Sequence, residues 1–160
     1  MTTTKTINAI SSDALLKSWQ GHRRLTRRVI EAFPEEELFE YSIGGMRPFG
    51  VMVLEIISMG VPSLEGIITG EWNQWDDPDS KPAKDEVLRI WDENTEKIDT
   101  LFSQITEEKF EVTVNAFSQW EMPVYDLLLY VIDNEIHHRG QGYVYLRSLG
   151  IEPPFFYDRS

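Results

Sequence analysis

The chain has 160 residues, of which 41% are hydrophobic and 26% charged, and a formal net charge of −12. A length in this range predicts one domain, here residues 1–160, with enough apolar residues for one core. The acidic balance opposes non-specific binding to phosphate backbones, so no nucleic-acid partner is expected. The absence of cysteine excludes disulfides, thiolate ligands and cysteine nucleophiles, and fits a cytoplasmic location.

Residues 1–10 read as a loose leader without the apolar core of a signal peptide. Ser11, Ser12 and Asp13 offer N-cap side chains. Leu15, Trp19, Val29 and Phe33, flanked by Leu16, Leu25 and Ile30, follow at helical spacing and Pro34 stops the run, which predicts a first helix over 12–33. Arg23, Arg24, Arg27 and Arg28, with Lys17 nearby, read as a solvated face of that helix.

Pro34 to Leu38 is a short acidic turn and Gly44-Gly45 a loop. Pro48 suits the start of a second helix over 48–70, with a kink expected at Gly60 and Pro62. Residues 71–83 are polar and carry two prolines, and form the clearest loop; Trp72 and Trp75 within it are expected to pack or to rim a pocket. A third helix is expected over 84–105. Residues 106–122 are mixed, and the alternation of Phe110, Val112 and Val114 allows a short extended piece. A fourth helix begins near Pro123 and ends at Gly150. Residues 151–160, with Phe155, Phe156 and Tyr157, are expected to fold back onto the helices by their aromatics. The longest apolar run, Leu127 to Ile132, falls short of a membrane span, so no membrane partner is expected. Four long helices in one domain predict an all-α four-helix bundle, and the long inter-helix connections allow a crossover topology.

The fourth helix carries the sharpest chemical signal. At about 100° per residue, Leu127, Val131, Asn134, His138, Gly142 and Tyr145 share one stripe, and its apolar members direct it toward the core. Asn134 and His138 stand at the i, i+4 spacing that brings two side chains to one metal ion or ligand. From Pro48 through Leu64 the one ionisable residue is Glu55, in an otherwise apolar helix. A carboxylate there must pair with a cation, bind a metal or take up a proton. The plainer readings are a hydrogen-bonded core histidine and a salt bridge from Glu55 to Arg139 or Arg147. His22 falls on the apolar face of the first helix, where it would line the same cavity or stay structural. His137 points away from His138.

His137-His138-Arg139-Gly140-Gln141, followed by Tyr145-Leu146-Arg147-Ser148-Leu149-Gly150, resembles the final helix of the DinB/YfiT-like family. Leu16 to Leu38 is similar to that family's first helix and acidic turn, and Arg47-Pro48-Phe49-Gly50 to the entry of its second helix. The resemblance implies a four-helix bundle, often dimeric, with a three-histidine site for a divalent metal, nickel or zinc. It also implies a metal-dependent hydrolase or a transferase using low-molecular-weight thiols, acting on a small molecule. Carried over residue by residue, His138 matches one ligand from the fourth helix. Asn134 stands where the other is expected, and Glu55 where the second helix supplies its histidine. The implied ligand set is Glu55, Asn134 and His138, with His22, Arg139 and Gln141 as pocket or supporting residues. Two oxygen donors in place of imidazoles make a harder, weaker site. The same trio also suits a metal-free network in which Glu55 accepts from His138 and Asn134 joins them. In that case the protein is a binding or stress-related member of the family without catalysis.

Overall fold

The structure, a computed structural model, describes residues 9–160 apart from 75, 76 and 78. Trp75 and most of the leader therefore lie outside the described residues. Four helices dominate: α1 (Ser12–Ala32), α2 (Phe49–Thr69), α3 (Lys84–Phe102) and α4 (Val124–Ser148). The extended piece is a hairpin of β1 (Thr113–Ala116) and β2 (Trp120–Pro123), antiparallel with Val114 opposite Met122. A short 3-10 helix, Glu107–Glu111, precedes it and carries the buried Phe110.

The element boundaries follow from local chemistry. The Ser11 side chain accepts from the Ala14 N–H at 3.1 Å and caps α1. The extended backbone of Phe33, ahead of Pro34, ends it. Pro48 is the N-cap of α2, and the left-handed Gly70 closes that helix. The helix runs on through Gly60 and Pro62, which lie inside it without ending it. By length and composition alone α2 is long and apolar enough to cross a bilayer, with Glu55 inside it. Its place within the bundle accounts for that composition.

α1 packs chiefly on α3 and α4, and so does α2. The sequence neighbours α1 and α2 therefore lie across a diagonal, as do α3 and α4. This is the crossover arrangement that the long connections allow. The apolar core falls into two clusters. One joins Leu15, Trp19, Leu64, Phe102 and Leu127 with the hairpin residue Ala116. The other joins Val29, Phe33, Phe49, Trp91 and Tyr145. Between them along α1 and α4 lie the buried polar residues His22, Arg23, Thr26, Glu135, His138 and Arg139.

Two sequence expectations change here. Arg23 is not on a solvated face: it is 1% exposed, because α1 turns it between α3 and α4. The tail does return to α1, but its aromatics stay in solvent. Phe155, Phe156 and Tyr157 are 61%, 69% and 68% exposed, and Phe155 stacks on Tyr157 instead of on the core. Polar bonds and the buried Pro153 hold the tail in place of an apolar seam.

Close packing of α2 on α4 depends on Gly142. A Cβ there would stand 2.6 Å from Cε2 of Phe49, which is fully buried and stacked on Phe33 at 4.7 Å. Alanine gains about 1 kcal/mol of helix propensity over glycine, whereas forcing a methyl into a filled core costs about 1–3 kcal/mol. Since the Phe49 ring is fully buried and stacked on Phe33, the clash wins. Gly142→Ala should lower stability in denaturant titration by about 1 kcal/mol or more; a stabilised variant would show that Phe49 yields.

Candidate functional site

α2 and α4 bring Glu55, Asn134, His138 and Gln141 together. Glu55 Oε1 lies 3.0 Å from Nε2 of His138 and accepts from Nδ2 of Asn134 at 3.1 Å. Oε2 is taken by the Arg47 guanidinium, from the segment leading into α2. Nδ1 of His138 lies 2.8 Å from Oε1 of Gln141, whose Nε2 in turn reaches Sδ of Met46 at 3.7 Å. Arg47 is positioned from α4 as well, since the Tyr145 hydroxyl donates to its carbonyl at 2.9 Å. His138 is buried, while the Glu55 and Arg47 side chains are 31% and 50% exposed, so the site opens to solvent on the carboxylate side.

The electrostatics follow from these contacts. The hydrogen bond from His138, helped by those from Asn134 and Arg47, outweighs burial and holds the Glu55 carboxyl down to about 2. Burial works to lower the His138 pKa, but its bonds to Glu55 and Gln141 prevail and raise it. Both ring nitrogens of His138 lie against side-chain oxygens, a setting that favours the protonated ring. The cation partner of Glu55 is thus Arg47, not Arg139 or Arg147. His137 stays exposed, as its position around the helix dictates.

The fit to a divalent metal can be judged on these bonds. A metal needs lone pairs directed at one point. Here Glu55 Oε1 is directed at two donors, His138 Nε2 carries the proton it shares with that oxygen, and a guanidinium stands on Oε2. Asn134 turns its amide nitrogen, not its oxygen, toward the carboxylate. As arranged, the set does not fit a resident metal. Among the described residues, no three His, Cys, Asp or Glu side chains are grouped to hold one. One acceptor remains free: Oδ1 of Asn134 is buried and makes no hydrogen bond.

A sequence model of the DinB family matches residues 1–160. The chain belongs to the DinB family. It is 23% identical to the uncharacterized protein YrdA of Bacillus subtilis (strain 168), over 91% of this chain and 87% of that one. Against the uncharacterized protein YjoA of the same strain it is 35% identical, over 41% of this chain and 44% of the other. A crystal structure of a DinB-like protein from Bacillus cereus ATCC 10987 superposes with a TM-score of 0.75 at 21% identity, over 91% of this chain and 97% of that one. The structure of YjoA gives 0.72 at 20% identity, over 89% and 96%. At these identities the structural likeness establishes the DinB fold.

His22 and Arg139 are not part of the Glu55 site. They meet each other on the α1 side of α4, where Arg139 Nη2 lies 3.1 Å from Nδ1 of His22. Arg139 Nη1 donates to the His22 carbonyl at 3.3 Å and to Oγ1 of Thr26 at 3.2 Å. Burial, reinforced by Arg139 and Arg159, lowers the His22 pKa to about 4, so the ring is neutral and accepts from the guanidinium. Beside them is Glu135, 1% exposed. It accepts from Thr26 Oγ1 at 2.6 Å and from Trp19 Nε1 at 3.3 Å, and lies 3.8 Å from Nη1 of Arg23. Arg23 stacks 3.3 Å over the Trp91 ring and donates to the Trp91 carbonyl and Oγ1 of Thr95. Burial lowers its pKa to about 10, against the pull of Glu135, and leaves it charged at neutral pH. The sequence reading missed Glu135, Arg23 and Arg47. The signal for Glu135 was its i, i+4 spacing to Arg139 next to an already inward Asn134.

Glu135→Ala should cost about 3–5 kcal/mol, because it strands the buried Arg23 charge; thermal and denaturant unfolding will measure the loss. His22 adds a pH signature. Its folded pKa lies below its unfolded value, so the unfolded chain binds the extra proton between about 6.5 and about 4, and stability falls as pH drops through that window. His22→Asn, which keeps an acceptor for Arg139, should flatten that part of the stability–pH curve; an unchanged slope would assign it to other groups.

Proposed function

We propose that this DinB-family protein binds a small polar molecule at the α2–α4 site and handles protons there with the Glu55–His138 pair, without a resident metal. The observation that carries this reading is the pairing of His138, whose two ring nitrogens lie 3.0 Å from Oε1 of Glu55 and 2.8 Å from Oε1 of Gln141. An imidazolium beside an ionised carboxylate is a proton donor with its base already paired to it. Asn134 Oδ1 adds a buried acceptor without a partner, so the favoured ligand carries an N–H or O–H group to meet it. Arg47, half exposed at the mouth, would orient an acidic part of the same ligand.

The metal-dependent hydrolase or thiol-dependent transferase suggested by the family resemblance is the second reading. The same free Asn134 Oδ1 favours it, being a neutral oxygen of the kind a hard divalent ion accepts. For it to hold, His138 must shed its Nε2 proton and the Asn134 amide must turn. The proposal extends, through the family resemblance, to a homodimer in the cytoplasm.

The two readings separate on one experiment. Protein purified without chelator, incubated with zinc, nickel or manganese and desalted, should hold metal well below stoichiometry, unchanged in His138→Ala. The 15N signals of both His138 ring nitrogens should be those of a protonated ring at neutral pH, and should lose that character in Glu55→Gln. Stoichiometric metal that disappears in His138→Ala would establish the second reading and end the first.

A further inference from the structure

α4 carries two glycines in its body, Gly140 and Gly142, and packing within the chain accounts for one of them. Gly142 faces α2, where a Cβ would strike the Phe49 ring. Gly140 is exposed on the far side of the helix, and a Cβ there would meet nothing within 4 Å. Its backbone is not left-handed either. Glycine inside a helix loses more chain entropy on folding than alanine does, so the residue weakens α4 and returns nothing to the single chain. A bare backbone on an open helix face suits the close approach of something outside the chain.

The residues around Gly140 say what that is. At about 100° per residue, Asp133, Ile136, His137, Gly140, Val144 and Arg147 fall in one stripe roughly 100° wide. All six are exposed, and the two aliphatic side chains, Ile136 and Val144, are open by 36% and 55%. Among the described residues Asp133 and Arg147 enter no salt bridge. The order of the stripe is symmetric about the glycine. Ile136 and Val144 stand four residues to either side of it, and Asp133 and Arg147 seven. A two-fold axis through Gly140, perpendicular to the helix, sets each residue level with its counterpart across the glycine in a second copy. Ile136 then meets Val144, and Asp133 meets Arg147, each pair occurring twice. The ion pairs lie about 10 Å along the helix from the crossing, which a shallow crossing of about 20° keeps within side-chain reach. With the copies parallel, Asp133 would face Asp133 and Arg147 would face Arg147, so the charges select the antiparallel arrangement.

We propose that the outer stripe of α4 seats a second copy of this chain, crossing antiparallel at Gly140 with Asp133 and Arg147 paired reciprocally. Two copies of the stripe supply each other with what each lacks: an apolar neighbour for Ile136 and Val144, a counter-charge at both ends, and a backbone that fills the open space at the glycine. This face serves the homodimer proposed above and is independent of what binds at Glu55, which lies across α4 on the α2 side.

Sedimentation equilibrium of the full chain tests it, with far-UV circular dichroism to show each variant helical. The wild type should be a dimer. Gly140→Leu, whose side chain has open space in the single chain, should weaken association about tenfold or more although it adds apolar surface. Asp133→Arg and Arg147→Asp should each weaken it as well, because each sets like charges opposite one another. Combined in one chain, the two swaps recreate the pair with its signs exchanged and should restore association to within about threefold of the wild type. A wild type still monomeric at about 100 μM would overturn the proposal together with the homodimer. A dimer that Gly140→Leu leaves unchanged or tightens would keep the homodimer and overturn this face. Failure of the combined swap to restore what either swap loses would overturn the antiparallel pairing.

Discussion

A carboxylate with 1% exposure cannot stand alone in a helical bundle, and Glu135 imposes its requirements on three helices at once. Thr26 and Trp19 of α1 reach it as donors, and Arg23 supplies the charge. Arg23 is then committed to α3 through the Trp91 ring and carbonyl and through Thr95. Trp91 returns a bond from its indole N–H to the Arg23 carbonyl at 3.1 Å. A slide of any one of these three helices along its axis would leave a buried donor or charge unmet, at a cost that apolar contacts alone would not impose. The polar layer thus fixes the register of the bundle, while the apolar clusters on either side supply most of the burial.

The same layer explains how α4 serves two sites. Successive residues differ by about 100° around the axis, so Glu135 and Arg139 turn toward α1 while Asn134, His138 and Gln141 turn toward α2. Fixing the first pair fixes the second. His138 meets Glu55 because Glu135 has already set the rotation of the helix, and Gly142 lets α2 come close enough. The two histidines buried in this layer are driven apart in charge by what they face. His22 meets a guanidinium, and burial with that cation lowers its pKa, whereas His138 meets a carboxylate, whose bond raises its pKa against burial.

Much of this was legible in the sequence because it rests on periodicity. The stripe from Leu127 to Tyr145 is inward, Ser11 caps α1, and Glu55 meets Asn134 and His138 across the α2–α4 contact. What escaped were choices between neighbours of the same charge type. Nothing in an arginine run says that Arg23 is buried while Arg27 pairs with Asp92 in partial exposure; only the acid on another helix decides it. Arg47 was hidden for a related reason, because its place over Glu55 is set by the loop at Gly44-Gly45 and by Tyr145, not by any helical spacing. The tail misled through composition: Phe155, Phe156 and Tyr157 look like core material, yet Asp158 determines where the segment lies.

Set against the three histidines that the family resemblance implies, Glu55 and Asn134 form one consistent change rather than two independent losses. Three imidazoles around a divalent cation, as the family resemblance implies, are all electron-pair donors. Once the α2 position holds a carboxylate, the charge at the centre of the trio reverses, and the surrounding groups must donate protons instead. Asn134 can do so where an imidazole lone pair could not, by turning its amide nitrogen inward. His138 does so through Nε2, and Arg47 brings a cation. The Arg47 guanidinium meets the charge of Glu55, as two neutral donors alone would not. The bonding of each side chain, not the alignment of residues, decides what such a site can hold.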